Sequence, residues 1–592
     1  MNREKKQCQN CHQEFWIEPD DFDFYKKIDV PPPTFCLGCR LQRRFAWRNE
    51  SKLYKRKCDA TNKEIISIYS PDKKLRVYDQ DYWRSDKWDP TSYSRNYDFT
   101  KPFFEQFTGL LKEMPMIALI NRNPVNSEYC NSTVGNKNCY LVYGGDFNEN
   151  VSFTTFSFYT KDSQDLYWVN KSELCYELID SENCFNVLFG RYCRNCNDSN
   201  FLFNCANCSN CFGCTNLRGQ SYHIFNKPYS KENYQLELQK LVGVMRSFSG
   251  LTELKARFEA EKARSIKRFA TIVNSQNTIG DNIYNSKNVS GFDIYDGAEN
   301  CKSIVFAVQG VKDSESVDHV GVHSELCFDS CSVFPGYKVF FSTVIWEGRE
   351  IQYSYNCQDC QSLFGCIGLR RKSYCILNKQ YAKEEYEVLV PKIIEHMNTM
   401  PYTDKKGIVY RYGEFFPTEL SPFAYNETIA QEYFPLTKDG AFAQGYLWKD
   451  PDIRDYKPTK KAQDLPNNIS DVDDSILGEV ISCTHEGKCT EQCATAFKIV
   501  REELEFYRRL GLSLPHLCPN CRHYERLKQR NPLKLWHRKC QCDGRASENG
   551  VYRNTAVHQH GTGHCSNEFE TSYSPDRKEI VYCEQCYQAE VV

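Results

Sequence analysis

The chain has 592 residues, enough for several independent cores, and a formal net charge of −2. That charge excludes a protein that is basic throughout, so any nucleic-acid surface must be local. The sequence has no apolar run of about 18 residues, and its first residues carry basic charge without an apolar segment. These features predict a cytoplasmic protein with no membrane partner. In that reducing compartment its 32 cysteines, many in C-x2-C pairs, indicate metal ligands or buried thiols rather than disulfides.

The two ends of the chain repeat one cysteine pattern, which predicts an N-terminal module at 1–100 and a C-terminal double module at 483–592. Residues 11–58 match residues 493–540 without a gap. Two cysteine knuckles, the second at a helix start, are typical of treble-clef or zinc-ribbon modules and supply the four thiolates that Zn²⁺ prefers. The predicted ligands of about three zinc ions are Cys8, Cys11, Cys36 and Cys39; Cys489, Cys493, Cys518 and Cys521; and Cys540, Cys565, Cys583 and Cys586.

The third ligand set leaves alternatives open. Cys542 competes with Cys540, and the insertion 541–564 adds histidines that could replace a ligand: His558, His560 and His564. The N-terminal module keeps Cys58 but has other residues where the remaining ligands align: Thr61, Asp79 and Tyr82. We interpret that copy as one that has lost its metal. Sites closed by four protein ligands favour a structural role over catalysis.

A basic stripe follows the second knuckle in both modules. Residues 40–57 contain eight Lys or Arg against one Glu, and residues 522–539 contain seven against one. On a helix the spacing brings these side chains onto one face, where guanidinium groups beside an aromatic ring suit phosphate contact and base stacking. A solvated helix face is the plainer alternative. The predicted nucleic-acid-binding residues are Arg40, Arg43, Arg44, Trp47, Arg48, Arg522, Arg526 and Arg530.

Between the modules, short segments rich in β-branched and aromatic residues recur every nine to thirteen residues, separated by Asn, Asp, Ser and Gly. This spacing predicts a mainly β protein with two right-handed, parallel β-helix-like solenoid blocks and helical caps. The predicted segments are a helical connector at 101–127, a first block at 128–229, a helical segment at 230–275, a second block at 276–380, and a helix with an extended linker at 381–482.

Cysteines also recur inside the predicted blocks. Cys193, Cys196, Cys205, Cys208, Cys211 and Cys214 form C-x2-C pairs. A metal or iron–sulfur site is one interpretation, and a ladder of small buried side chains is the other. The second block has Leu363 in place of Cys211, and a cluster needs all its ligands, so we favour the ladder.

Both blocks end on the motif F-G-C-x-x-L-R-x-x-S-Y-x-I-x-N-K-x-Y, and both modules carry the tetrapeptide Y-S-P-D. These motifs and the paired ends resemble an uncharacterised group of zinc-finger proteins from small-celled candidate-phylum bacteria. The resemblance covers most of the chain and implies no activity.

The sequence therefore predicts a zinc-binding, non-catalytic scaffold that contacts nucleic acid, RNA or a ribonucleoprotein rather than duplex DNA, through its basic helices. One alternative is a protein-interaction scaffold that uses the solenoid surface. Another is a β-helix enzyme acting on carbohydrate or nucleic acid. We find no P-loop, dinucleotide-binding motif, nucleophile elbow or H-E-x-x-H motif, so the sequence predicts no catalytic residues.

Overall fold

A computed structural model describes residues 2–307, 309–450 and 457–591. Over these ranges the protein is mainly β with parallel sheets and has cysteine clusters near both ends, which confirms that part of the prediction. None of the helices in these ranges is both long and apolar enough to span a bilayer.

The N-terminal module contains two β-hairpins, each followed by a helix. The cysteine that follows the first strand of each hairpin donates its backbone N–H across the turn, Cys8 to the Gln13 carbonyl at 2.9 Å and Cys58 to the Lys63 carbonyl at 2.8 Å. The strands are Glu4–Gln7, Glu14–Ile17, Tyr54–Lys57, Glu64–Ser67 and Val77–Tyr78. The helices are Pro19–Ile28, Leu37–Phe45, Gln80–Arg84 and, after a 3-10 turn at Pro90–Tyr93, Phe103–Glu113.

The first block is a ten-stranded sheet whose strands pair in parallel with a register that advances by 12 residues, except for an antiparallel last pair, Ser221–Ile224 with Lys227–Pro228. Thr155 pairs with Tyr167, and Tyr167 pairs with Ile179. The block and the short strands before it comprise Met116–Ile117, Asn121–Arg122, Thr133–Val134, Tyr140–Tyr143, Glu149–Phe158, Lys161–Gln164, Tyr167–Asn170, Tyr176–Glu182, Phe185–Arg191, Asn197–Phe203, Ser209–Thr215, Ser221–Ile224 and Lys227–Pro228.

A three-residue period runs through the first block. From Asn183 to Asn210 every third residue has a positive φ between 46° and 59°. Asn and Asp tolerate this left-handed conformation better than other non-glycine residues. Their side chains also bond between neighbouring strands, as from Asn186 Nδ2 to Asp198 Oδ1 at 2.8 Å. The residue after each such position is buried, so small and apolar side chains fill the interior.

The second block is a twelve-stranded sheet, parallel except for its last pair, Ser373–Ile376 with Lys379–Gln380, and its register is less regular. Its side-chain ladder advances by 11 residues at Asn277, by 12 at Asn288 and by 13 at Asn300. Its strands are Ile272–Val273, Gln276–Tyr284, Lys287–Ile294, Ala298–Lys302, Val305–Ala307, Val311–Lys312, Glu315–Val320, Phe328–Phe340, Thr343–Gln352, Tyr355–Phe364, Ser373–Ile376 and Lys379–Gln380.

Helices follow each block. Lys231–Met245 and Phe248–Arg264 follow the first block, and Lys383–Thr399 follows the second. The chain then runs through two short strands, Tyr402–Thr403 and Val409–Tyr410, and two short helices, Ala430–Tyr433 and Lys438–Ala443. The 3-10 turns of this stretch are Thr418–Leu420, Tyr425–Glu427, Ala462–Asp464, Ile469–Asp471 and Asp474–Gly478, with a strand at Lys460–Lys461.

The C-terminal module repeats the paired hairpins and helices of the N-terminal module. Its strands are Ile481–Ser482, Ala496–Phe497, Trp536–Lys539, Glu568–Thr571 and Ile580–Tyr582, and its helices are Arg501–Leu510, Pro519–Leu527 and Glu584–Val591. The strand Ile266–Arg268, which precedes the second block, pairs in parallel with Ile580–Tyr582. The segment that enters the second block is therefore joined to the C-terminal module by backbone pairing.

Candidate metal centres and the arginine stripes

The first cysteine group lies where the first hairpin of the N-terminal module meets the helix Leu37–Phe45. Cys8, Cys11, Cys36 and Cys39 come together within 4.8 Å, as predicted, and could hold a metal ion. Cys36 is the N-cap of the helix, so the positive end of the helix dipole faces the thiolates. The Sγ atoms of Cys11 and Cys36 are 3.7 Å apart, and sulfur ligands at about 2.3 Å from a tetrahedral ion are about 3.8 Å apart.

The equivalent group in the C-terminal module differs from the prediction in one ligand. It contains Cys493, Cys518 and Cys521 as predicted, but its fourth member is Cys483 rather than Cys489. Cys483 is buried, and its Sγ accepts the backbone N–H of Cys518 at 3.3 Å. Cys489 lies beside the group with its Sγ 3.8 Å from that of Cys521.

An insertion in the C-terminal module prevents an ungapped alignment of the two modules from matching Cys483 with Cys8. Nine residues separate it from Cys493, against two between Cys8 and Cys11. The strand pairing identifies the equivalence, because Cys483 donates its N–H to Thr495 O at 2.8 Å just as Cys8 donates to Gln13 O. The two cysteines also share their place in the hairpin, since the strand Ile481–Ser482 ends directly before Cys483 as Glu4–Gln7 ends directly before Cys8.

The tail cysteines predicted as the third ligand set also come together. Cys540, Cys565, Cys583 and Cys586 are all buried and lie within 4.8 Å of one another. Cys540 rather than Cys542 belongs to this tetrad. His564 is exposed, whereas His558 and His560 lie in a different group with Cys542.

The N-terminal module keeps the geometry of that third group without its ligands. The backbone N–H of Asp79 donates to Cys58 Sγ at 3.2 Å, as the N–H of Cys583 donates to Cys540 Sγ at 3.2 Å. In the part of the chain that the structure describes, Cys58 belongs to no group of metal-ligand type. The backbone contact is therefore kept in the N-terminal module although the other ligands of the tetrad are not.

The cysteines inside the blocks form interior ladders. Their thiols bond to backbone carbonyls, as Cys205 Sγ does to Phe203 O at 3.6 Å and to Cys214 O at 3.5 Å. None of the described groups that could hold a metal contains them. Burial raises the pKa of Cys175 to about 12, so this thiol stays protonated.

The predicted nucleic-acid-binding stripes are buried inside the protein, which corrects their interpretation as a solvent-facing surface. All eight residues have almost no solvent exposure: Arg40, Arg43, Arg44, Trp47, Arg48, Arg522, Arg526 and Arg530. The first finger helix, Leu37–Phe45, packs on the second block, and the second finger helix, Pro519–Leu527, packs on the first block.

Carboxylates of the second block pair with two arginines of the first finger helix. Arg40 Nη2 lies 2.6 Å from Glu315 Oε1, and Arg44 Nε lies 2.8 Å from Asp318 Oδ2. Arg44 also pairs with Asp329. Burial opposes the charged guanidinium of Arg44, but these two aspartates raise its pKa above the ordinary value. Arg44 is therefore a buried cation held by two carboxylates.

Other members of the first stripe bind groups of the same chain. Arg43 Nη2 donates to the carbonyls of Phe415 at 2.7 Å and Phe416 at 3.0 Å. Arg48 Nη2 lies 2.6 Å from Glu50 Oε1. Trp47 packs on Phe416 with ring centroids 4.6 Å apart.

The second finger helix makes the matching contacts with the first block. Arg526 Nη1 lies 2.6 Å from Asp165 Oδ1, and Arg530 Nη2 lies 3.1 Å from Asp180 Oδ1. Arg530 also reaches Asp293 of the second block at 2.8 Å. Both modules carry the arginine stripe, and in both its arginines form buried ion pairs that join the module to a block.

No protein-family model matches the chain, and no curated protein matches it. The resemblance to the bacterial zinc-finger group therefore stays a prediction.

Replacing Arg44 by methionine tests the buried pairs. The Arg44→Met variant leaves Asp318 and Asp329 as buried charges without a partner, which costs about 3–5 kcal/mol. We expect that loss in the free energy of unfolding, measured by urea denaturation with tryptophan fluorescence. Adding Asp318→Asn and Asp329→Asn should recover part of it. Lys240→Met, in an exposed pair with Glu237, is the control and should change little. If Arg44→Met lowers the free energy of unfolding no more than Lys240→Met does, Arg44 is not held in a buried ion pair.

Two single substitutions test which cysteine completes the second tetrad. Cys483→Ser should lower the metal content of the purified protein by one ion, because Cys483 is the buried fourth ligand. Cys489→Ser should leave the metal content unchanged. Inductively coupled plasma mass spectrometry measures both. Loss of one ion in Cys489→Ser but not in Cys483→Ser would show that Cys489 is the fourth ligand, as the sequence predicts.

Proposed function

We propose that the protein is a zinc-stabilised, non-catalytic binding scaffold whose working surface is the cleft between its two blocks. All-thiolate tetrads with Sγ separations near 3.8 Å suit Zn²⁺. Each tetrad is closed by four protein ligands, so its metal would hold the module rather than meet a substrate. The metals would stabilise the modules, and the modules hold the blocks.

We further propose that each block is a parallel β-helical solenoid. A register step of 12 residues, with a left-handed residue at every third position, supports a narrow coil of four short sides. The buried cysteine, serine and small apolar side chains support the same arrangement, since a coil of that width has room for little else.

The observation that carries the proposal is an aromatic cleft of about 610 Å³ between the blocks. That volume lies in the range of small-molecule sites. Trp168 of the first block stacks on Tyr295 of the second with ring centroids 4.8 Å apart. At the mouth, Phe147 and Tyr159 stack on each other at 5.2 Å and are 50 % and 57 % exposed. Exposed, stacked rings in a cleft offer flat faces to a ligand.

The charges of the cleft favour a neutral, hydroxyl-rich ligand such as an oligosaccharide. The acidic lining residues are Asp146, Asp180, Glu182 and Asp296, and the basic ones are Lys171 and Arg194. Asp180 is already paired with Arg530, so the remaining charges of the described lining nearly balance and these residues offer no cationic surface to a polyanion. A sugar can stack its C–H face on the rings and bond its hydroxyls to carboxylates. Burial raises the pKa of Asp146 to about 7, so near neutral pH this carboxyl can both donate and accept.

Nucleic-acid contact through the finger helices, the leading expectation from the sequence, ranks behind this proposal. It needs guanidinium groups that are instead paired with carboxylates of the same chain. Releasing one of them would cost several kcal/mol. A protein partner remains the occupant to test next if the cleft binds no sugar.

Fluorescence titration of the full chain with a panel of neutral hexasaccharides, built from glucose, xylose, mannose or N-acetylglucosamine, tests the cleft. We expect at least one to change tryptophan emission, because Trp168 lines the cleft. Replacing Phe147 and Tyr159 together by alanine should weaken that binding about tenfold or more, the effect of losing about 1.4 kcal/mol of stacking.

Phe185→Ala is the matched control, since Phe185 is an exposed aromatic residue of the same block outside the cleft. It should leave sugar binding unchanged. Single-stranded RNA of mixed sequence, added over a salt series, should not bind. Binding of RNA but of no sugar would overturn the proposed ligand class.

A further inference from the structure

A second ligand group lies against the third cysteine tetrad. Cys542, His558, His560 and Cys586 come within 4.8 Å of one another, and the tetrad Cys540, Cys565, Cys583 and Cys586 does the same. Cys586 belongs to both groups. The two groups therefore share one thiolate and each has four ligands.

The histidines are oriented as metal ligands usually are, with one ring nitrogen held by an oxygen and the other left for the ion. His558 Nε2 lies 2.9 Å from Glu590 Oε1, which leaves Nδ1 as the free nitrogen. His560 Nδ1 lies 2.8 Å from the Gly563 carbonyl, and its Nε2 lies 3.3 Å from Cys586 Sγ. A sulfur and a nitrogen bound to one tetrahedral zinc ion are about 3.5 Å apart.

Hydrogen bonds hold the Cys542 side chain in place at this group. Its side chain is buried, and its Sγ accepts the Asn554 side-chain amide at 3.2 Å and the Gly544 backbone N–H at 3.4 Å.

The insertion that supplies these ligands exposes both of its valines and buries His558. Val557 is 95 % exposed, whereas the neighbouring His558 is 4 % exposed. Val551 is also exposed. A segment with its valines in water has little hydrophobic core to order it, and bound metal commonly supplies that free energy.

We propose that the C-terminal tail holds two divalent metal ions bridged by the thiolate of Cys586. One ion takes Cys540, Cys565, Cys583 and Cys586, and the other takes Cys586, Cys542, His558 and His560. Sharing Cys586 moderates the charge, because two divalent ions, five thiolates and two neutral imidazoles carry a net charge of about −1, against about −2 for a single ion with four thiolates. Zinc is the expected ion, since it accepts mixed sulfur and nitrogen ligands.

Metal analysis of the full chain after removal of loosely bound ions tests the bridge. Substituting His558 and His560 together by alanine should lower the metal content by one ion per chain. His564→Ala, in the same insertion but exposed, should not lower it. Cys586→Ser should lose two ions, whereas Cys565→Ser, which removes a ligand of the tetrad alone, should lose one.

Cobalt substitution gives a second readout. The double-histidine variant should lose the absorption of a cobalt ion with two sulfur and two nitrogen ligands and keep that of the all-sulfur sites. Unchanged metal content in the double-histidine variant, or loss of a single ion in Cys586→Ser, would overturn the bridged pair. Sugar binding in the cleft is measured separately, so its failure would leave this result intact.

Discussion

The buried pairing of arginine with carboxylate is the interaction on which the architecture depends. Arg44 lies between Asp318 and Asp329, and Arg526 lies on Asp165, without solvent to screen either contact. Such pairs give little net stability compared with apolar packing, but a charge left without its partner is costly. They therefore specify which surface of a module meets which block. The first finger helix pairs with the second block and the second finger helix with the first, so the modules hold the blocks side by side.

The proposed solenoid coils explain why the blocks need such support. A register step of 12 residues encloses an interior filled by one small side chain in every three, such as Cys205 or Leu202. That interior buries little apolar area per residue, and the aromatic residues Tyr176, Phe189 and Phe201 lie outside it in a separate cluster with the C-terminal module. The modules thus supply hydrophobic contact that the coils cannot provide for themselves, while leaving the cleft between the blocks open.

The sequence predicts those parts of the fold and of the cysteine groups that depend on residues close together in the chain. The paired knuckles, the recurring short strands and the helix Phe103–Glu113 each follow from residues close together in the chain. What the sequence could not reveal depends on distant residues. Glu315 lies 275 positions from Arg40, so the stripe resembles a solvent-facing basic helix until its partners are known. Cys483 was missed because an insertion shifts the spacing, although its strand pairing matches that of Cys8.

Hydrogen exchange of the zinc-loaded protein tests most directly whether the arginine stripes are internal. The first finger helix, Leu37–Phe45, should exchange its amides about 100-fold more slowly than Lys231–Met245, a helix whose residues are mostly exposed. That ratio corresponds to about 3 kcal/mol of additional opening cost, the cost of separating one buried pair. Equal exchange rates in the two helices would mean that the stripe opens to solvent, and would contradict the account.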